Sequence, residues 1–500
     1  MTCTEETFQI QYIDLIFWKE GLPTNIYLVR RIIRLTLAVI SVIYVIFFGR
    51  KKPSDTFAWC LIFLLNPYVG IVLYLIFGST LPTRLAEKRR RKRLSDRGVN
   101  ALSERFLSQP LDVSSGELTP TGEEVAMFCF SYCHAPVSRY ETEQVYSTGR
   151  EHYDQLFADI RQAERCIHVL FYEVENDALS RKFIGLLAEK AAEGLEVRLM
   201  VDSLTGFPYF DHMARPLRKA GGQVKRQRPF LTHYRNHRKI VVIDNKIAYI
   251  GGMNIGKRFQ NEDTVKTPWR DTQVRLTGAA ASDLELYFLA DWFVTIPKKW
   301  LPDAEKTADD YFLHRQTAGE HPCQFVTGGP TSSRESIKMT YLTLIRSARR
   351  SIRIQSPYFI PDDAILDALR SAAASGVNVE IMVPGIRSSF FLEPVTTYYC
   401  GQMLEAGATV YRYQGYLHAK TLTIDGEVCA IGSANMDRRS LFLDDEITGL
   451  FYDPLFVHRY EETYQSDVSS CDRYTLDQFR TRSNRERTAE SFYRLFEFLL

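Results

Sequence analysis

Two apolar runs near the start of the chain stand apart from everything that follows. Residues 32–48 are almost wholly apolar, and residues 56–77 are apolar again. A membrane-spanning helix needs about 20 mostly apolar residues. Both runs therefore predict spanning helices, with Arg34 shortening the first unless its side chain snorkels outward. The polar turn Gly49-Arg-Lys-Lys-Pro-Ser-Asp55 lies between them. The pattern predicts a two-helix transmembrane hairpin over 26–80, after an N-terminal segment, 1–25, that lacks the basic start of a signal peptide.

A basic, polar linker over 81–120 comes next, and from 121 the pattern changes to alternating strands and helices. Residues 153–163 and 182–194 carry helical spacing, and 166–172 and 195–202 read as strands. The second half repeats the series: helices at 341–348 and 362–376, strands at 351–358 and 377–384. Ile160 lines up with Ile345, Val197 with Val379 and His237 with His418, an internal repeat. The alternation predicts a mostly parallel sheet in each of two α/β lobes, 121–320 and 321–500. Apolar residues at helical spacing near the C-terminus (Phe492, Leu495, Phe496, Leu499) predict an amphipathic helix packed on the second lobe.

At 500 residues the part beyond the hairpin has room for two sizeable cores. The net charge of +2 hides an uneven distribution. Arg84, the run Lys88 to Arg93 and Arg97 follow the second apolar segment, whereas only Arg50, Lys51 and Lys52 sit in the turn. The positive-inside rule then places both termini, and the lobes, on the cytoplasmic side of the cell membrane in a multi-pass topology. The same cluster suits anionic lipid head groups, at about 1 kcal/mol per charge near the surface, or simply fixes topology. Composition points to no nucleic acid partner. The 9 cysteines are scattered without C-x-x-C spacing and read as reduced thiols.

The candidate chemistry lies in a doubled motif. Asn236-His237-Arg-Lys239-Ile-Val-Val-Ile-Asp244 and Leu417-His418-Ala-Lys420-Thr-Leu-Thr-Ile-Asp425 share the frame His-x-Lys-x4-Asp. In a strand, i and i+2 face the same way, so each His projects with its Lys. Asp244-Asn245 and Asp425-Gly426 have hairpin-turn chemistry, where each Asp would hold its loop or balance its Lys. The returning strands end in Gly251-Gly252-Met-Asn254 and Gly432-Ser433-Ala-Asn435. Small residues there admit a ligand close to the backbone, and an Asn can donate to an anionic oxygen. Imidazole, ammonium and amide together make a phosphate grip, and two copies imply one shared site at the lobe interface.

At these residues the chain resembles the phospholipase D superfamily, whose signature is the paired His-Lys-Asp motif followed by Gly-(Gly/Ser)-x-Asn. The resemblance implies duplicated α/β lobes with mixed sheets flanked by helices, the two His-Lys pairs meeting across a cleft, His237 as nucleophile and His418 as acid. It also implies an acidic residue after each motif, Asp271 and Glu446, that orients an imidazole, with either pairing open. Asn66-Pro67-Tyr-Val-Gly70, Gln355-Ser-Pro-Tyr-Phe-Ile-Pro-Asp362, Tyr234-Arg-Asn-His-Arg-Lys239 and Asn435-Met-Asp-Arg-Arg-Ser440 extend the likeness to the bacterial cardiolipin synthases of that superfamily. That likeness implies transfer of a phosphatidyl group between two phosphatidylglycerol molecules with release of glycerol. It departs from the family in lacking a glycine soon after Asp177 and a proline near the C-terminus.

A phosphodiester needs a nucleophile, charge neutralisation and a proton for the leaving alkoxide. One imidazole can attack phosphorus while the other donates the proton, with Lys239, Lys420, Asn254 and Asn435 stabilising the charge. The scheme requires no metal and no cofactor. A phosphatidyltransferase, a membrane-bound phospholipase D giving phosphatidic acid, and a silent scaffold are the three classes in play. The intact motifs disfavour the scaffold.

Overall fold

The computed structural model describes residues 24–49, 53–78, 116–202, 209–227, 235–260, 268–295, 310–311, 313–329, 334–386, 389–495 and 497, and every structural statement here is made of those residues. The chain divides into two compact units, one up to Thr80 and one from Leu81 to Leu500. The basic run Lys88 to Arg93 lies outside the described residues.

In the first unit the apolar run becomes one helix, α1 (Thr24–Phe48). Its Leu28–Phe48 segment, with mean hydropathy 2.1, is the one described helix long and apolar enough to cross a membrane. The second run differs from the expectation of a single spanning helix. It breaks into α2 (Pro53–Leu65) and α3 (Pro67–Leu73), followed by a π-helical turn, Tyr74–Gly78. Asn66 and Pro67 cause the break. The Asn66 carboxamide caps α3 by accepting from Val69 N at 3.2 Å, so Val69 no longer bonds the Leu65 carbonyl. Arg34 donates to that freed carbonyl at 2.8 Å, so it reaches across to the helix break instead of snorkelling outward. Tyr44 and Tyr74 meet edge to face where the two arms pack together, so the expectation of two spanning helices holds for the first arm only.

The second unit carries two large sheets and two two-stranded ones. The first half of the chain contributes β1 (Val137–Tyr140), β2 (Glu143–Tyr146), β3 (Cys166–Phe171), β4 (Glu196–Asp202), β5 (Gln223–Gln227), β6 (Ile240–Ile243), β7 (Ile247–Gly251), β8 (Trp269–Arg270) and β9 (Gln273–Thr277). The second half contributes β10 (His321–Gly328), β11 (Ser351–Gln355), β12 (Phe359–Ile360), β13 (Asn378–Pro384), β14 (Thr409–Tyr413), β15 (Tyr416–Leu417), β16 (Thr421–Ile424), β17 (Val428–Gly432), β18 (Met436–Asp437), β19 (Glu446–Phe451) and β20 (Cys471–Tyr474). One large sheet runs β2-β9-β7-β6-β3-β4-β5 and the other β1-β10-β19-β17-β16-β11-β13-β14-β20, and β12-β18 and β15-β8 are the two-stranded ones. The duplication is plain in that order, since β9-β7-β6-β3-β4-β5 and β19-β17-β16-β11-β13-β14 correspond step for step in order and pairing sense.

Both large sheets are mixed. Only β3-β4-β5 and β11-β13-β14 are parallel, which corrects the mostly parallel expectation. The hairpin turns after each His-x-Lys segment reverse the chain and make the remaining pairs antiparallel. The lobe boundary also shifts. Helix α4 (Pro120–Cys133) and β1 belong with the second sheet: β1 pairs with β10, Val137 opposite Gln324, and covers that sheet's edge. Val125, Ala126 and Cys129 of α4 join the second lobe's core.

Helices flank the parallel strands: α5 (Gly149–Gln162) before β3 and α6 (Ala178–Ala192) after it in the first lobe, then, past the buried α7 (Ala279–Thr295), α8 (Ser336–Ser347) before β11 and α9 (Asp363–Ala374) and α10 (Leu392–Glu405) on either side of β13 in the second. α7 is buried on nearly every side, and its apolar residues fill a core shared by both sheets. Its acids are all partnered, Asp283 with Arg315, Glu285 with His168 and Asp291 with Arg238. α11 (Pro454–Val468) adds Phe456, Val457 and Tyr460 to the same core, and α12 (Asn484–Arg494) closes the chain.

Candidate active site

Each His-x-Lys segment lies just ahead of its strand rather than within it, because its backbone pairs with the opposite lobe. His237 N donates to Asp445 O at 2.8 Å, and Asp445 N donates to Arg235 O at 2.8 Å. His418 N donates to Arg270 O and Tyr416 N to Pro268 O, which makes β15 and β8 a two-stranded parallel sheet across the lobes. The extended backbone preserves the alternation. Lys239 and Lys420 sit beside their own histidines, each ammonium donating to the histidine's carbonyl. The intervening Arg238 turns the other way, into a buried ion pair with Asp291 at 2.6 Å.

Those cross-lobe pairings decide which carboxylate serves which imidazole. His237 Nδ1 lies 2.9 Å from Glu446 Oε1, and His418 Nδ1 lies 2.6 Å from Asp271 Oδ2. The assignment is crossed, so each lobe supplies the acid that orients the other lobe's histidine. Each Nδ1 is thereby occupied, leaving Nε2 for chemistry. The Ser433 hydroxyl donates to the second oxygen of Glu446, a role that a small residue read only as spacer does not advertise. Its first-lobe counterpart is Gly252, where a Cβ would stand 2.1 Å from Asp271 Oδ1, so the close approach of that carboxylate requires glycine.

The two histidines and two lysines share one electrostatic environment. Burial, then Lys239 and Lys420, push the His237 pKa well below its usual value. Burial and Lys420 bring His418 down to about 3 against the opposing pull of Asp271. The lysines fall too, chiefly by burial, to about 7 for Lys239 and about 8 for Lys420. The two carboxylates diverge. Burial pushes Glu446 up to about 7 against Lys239, whereas at Asp271 burial is outweighed by Lys420 and His418, which hold it below the ordinary range.

Asp244 and Asp425, counted from the motif among the catalytic groups, stand apart from this cluster at the far end of β6 and β16, about 17 Å along the strand from the lysines. Asp244 accepts from the backbone N–H groups of Glu164, Arg165 and Cys166 at 2.7–2.9 Å. Asp425 accepts from Arg349, Arg350 and Ser351 at 2.7–2.8 Å. Each pins the start of the neighbouring parallel strand while taking the left-handed turn conformation, with φ of 56° and 54°. They hold loops and touch no reacting group.

Asn254 is buried, its amide oxygen accepting from Glu173 N at 3.3 Å, which leaves its NH2 free to donate. Asn435 donates to the Asp437 carboxylate. Aromatic rings line the imidazoles without a motif to announce them. Tyr172 meets His237 edge to face at 4.8 Å and lies under the Lys239 ammonium. Trp269 stacks on Tyr416 at 4.2 Å and borders His418 at 5.1 Å. Behind the site, Arg270 pairs with Asp467 at 2.8 Å, as Arg238 does with Asp291, so a buried arginine anchors each crossing segment. Among the described residues no group of three or more His, Cys, Asp or Glu is placed to hold a metal ion.

The comparisons agree with this architecture. Residues 156–273 and 341–468, which enclose the two His-Lys pairs and both acids, match the family described as cardiolipin synthase, PLD-like domain. Residues 36–79 match the phospholipase D-nuclease N-terminal family. A cardiolipin synthase of Clostridium perfringens (strain SM101) is 34% identical over 89% of this chain and 94% of its own length. The major cardiolipin synthase of Bacillus subtilis (strain 168) is 34% identical over 93% of this chain and 97% of its own. Among solved structures, the phosphatidylserine synthase of Haemophilus influenzae shares the fold, with a TM-score of 0.58 over 75% of this chain and 100% of that one at 14% identity. With one-third identity sustained across nearly its whole length and both matches centred on the crossed histidine pairs, the chain belongs to the cardiolipin synthase family of phospholipase D-like enzymes.

Proposed function

We propose that this enzyme transfers a phosphatidyl group from one phosphatidylglycerol to the hydroxyl of a second through a phosphohistidine, releasing glycerol. The observation that carries the reading is the crossed pair of imidazoles, each held at Nδ1 by a carboxylate of the other lobe with a lysine alongside. His237 Nε2 attacks phosphorus, and the bond from phosphorus to the glycerol oxygen breaks as His418 Nε2 gives that oxygen its proton. The second phosphatidylglycerol then loses its hydroxyl proton to His418 and attacks the phosphohistidine, which restores His237. Lys239, Lys420 and Asn254 neutralise the non-bridging oxygens.

The unequal carboxylates support this division. Asp271 stays ionised and stabilises an imidazolium at His418, as an acid requires, whereas Glu446, raised to about 7, holds a positive charge on His237 less well and, when ionised, accepts its Nδ1–H and leaves Nε2 free to attack. The depressed histidine values describe a site without its phosphodiester. An arriving anion offsets both lysines and raises His418 toward protonation. Phosphatidylglycerol and related anionic phospholipids are the substrates, the apolar hairpin anchors the chain in the cell membrane as a multi-pass protein, and the basic residues after it keep the lobes cytoplasmic.

Product analysis with phosphatidylglycerol alone tests the reading. Cardiolipin and glycerol in equal amounts are expected. Phosphatidic acid in their place would show that water takes the phosphatidyl group, the hydrolase alternative.

A further inference from the structure

The second lobe carries an exposed aromatic patch that its own packing does not explain. Phe390 and Phe391, in the turn before α10, are 68% and 58% exposed, and Phe492 and Leu495, at the end of α12, are 53% and 67% exposed. They are contiguous. Tyr493 contacts Phe390, Phe391 and Phe492, with ring centroids 5.2–5.5 Å apart. α12 packs on α10 through Tyr493 and Arg494, as an amphipathic helix should, yet Phe492 and Leu495 turn away from that contact. Scattered exposed apolar residues need no explanation, but a joined group of four does.

Topology places the patch at the catalytic end of its sheet. Gln355 of β11 is opposite Thr421, the residue after Lys420, and Met382 of the parallel β13 is beside Gln355. The chain leaves β13 at Pro384, is pinned to that end by Gly385 N donating to Tyr413 O at 2.7 Å, and reaches Phe390 six residues past the strand. α12 carries charges of both signs: Arg485, Glu486 and Arg487 are exposed on it, and the Arg494 guanidinium lies 3.5 Å from the centroid of Tyr398. A recess of about 320 Å³ between α10 and α12 is lined by Glu393, Arg412, Tyr474, Arg482, Glu486 and Glu490. Aromatic rings flanked by arginines and polar groups have the composition of a bilayer interface, where rings enter the acyl boundary and guanidinium groups meet phosphates.

We propose that Phe390, Phe391, Phe492 and Leu495 form a lipid-bilayer contact that seats the catalytic end of the second lobe on the membrane surface. The occupant is a phospholipid bilayer because the same chain carries an apolar helix able to span one and because α12, which supplies Phe492, also carries the exposed Arg485 and Arg487. The contact rests on the proposed function only for the substrate it brings near.

The test uses the full chain in nanodiscs of phosphatidylglycerol and phosphatidylcholine, with or without brominated acyl chains. F390W adds a tryptophan within the patch. L455W adds one at Leu455, exposed at the start of α11 beyond Phe451, the end of β19 opposite Glu446. The emission added by F390W is expected to lose about half or more of its intensity to the bromines, and that added by L455W almost none. Equal quenching at the two positions, or a blue-shifted F390W emission indifferent to bromine, as a second copy of the chain covering the patch would produce, overturns the proposal. No turnover is involved, so failure here is separate from failure of the proposed function. The triple variant F390S/F391S/F492S is further expected to lose about tenfold in rate on bilayers but not on detergent-dispersed phosphatidylglycerol. An equal loss on both would assign the patch to folding instead.

Discussion

At the scale of single residues, His237 and His418 are nearly identical in motif and differ in the acid behind them. That difference gives a direct test of their roles. A phosphodiester with a p-nitrophenol leaving group needs no proton, so H418A should recover most of its lost leaving-group step with it, while H237N stays inactive on both substrates by about 10³-fold or more. Release of p-nitrophenol in a single turnover reads this out, and rescue of H237N instead would reverse the assignment. The lysines set the pH dependence. Their pKa values are lowered to about 7 and 8, so each loses its charge as pH rises through those values and phosphate is held less well. We expect kcat/KM to fall on the alkaline side between about pH 7 and 8. The kcat profile should fall later, since a bound phosphodiester restores the lysine protons. Coincident alkaline limbs would count against that coupling.

At the scale of elements, the His-x-Lys-x4-Asp frame serves two ends of one strand. Its head pairs with the opposite lobe, and its tail carries an aspartate that collects three backbone N–H groups at the start of the next strand. D244A or D425A should therefore act on stability, costing about 3 kcal/mol through the stranded N–H groups, with turnover per folded molecule little changed. Thermal unfolding in detergent together with active-site titration checks this. A full loss of turnover in a variant of unchanged Tm would return these aspartates to the chemistry. The hairpin teaches a similar lesson. Asn66 and Pro67 break the second apolar run, and the break supplies the carbonyl that Arg34 takes. An arginine that looks costly in an apolar helix thus has a partner that only a helix end can provide.

At the scale of the whole molecule, the site exists because two lobes exchange their acids. Arg270 shows how firmly the exchange is held, since it joins the Asp271 segment to Asp467 of α11 through a buried ion pair. R270A leaves Asp467 buried without its charge partner and should cost about 3–5 kcal/mol. It should also lower kcat with p-nitrophenyl substrate less than with phosphatidylglycerol, because the Asp271–His418 acid is what shifts. Tm and the ratio of the two rates measure both effects, and an unchanged ratio would confine Arg270 to stability.

While the acids after each motif came from the family resemblance, the sequence by itself determined the two repeats, the two histidine-lysine pairs and the apolar N-terminal helix. These are local patterns of spacing and hydropathy, and they survive any arrangement of the lobes. It also foretold most of the strands and helices, because buried strands and amphipathic helices impose their own periods. Tertiary structure alone decided that Asp271 serves His418 and Glu446 serves His237, that α4 and β1 complete the second sheet, that Ser433 supports Glu446, and that Tyr172 and Trp269 flank the imidazoles. Each of these joins residues distant in the chain through a hydrogen bond or a ring contact, and no local period encodes such a pairing. The burial that moves the two histidines and two lysines has the same origin, since it arises only once the two lobes close over one another.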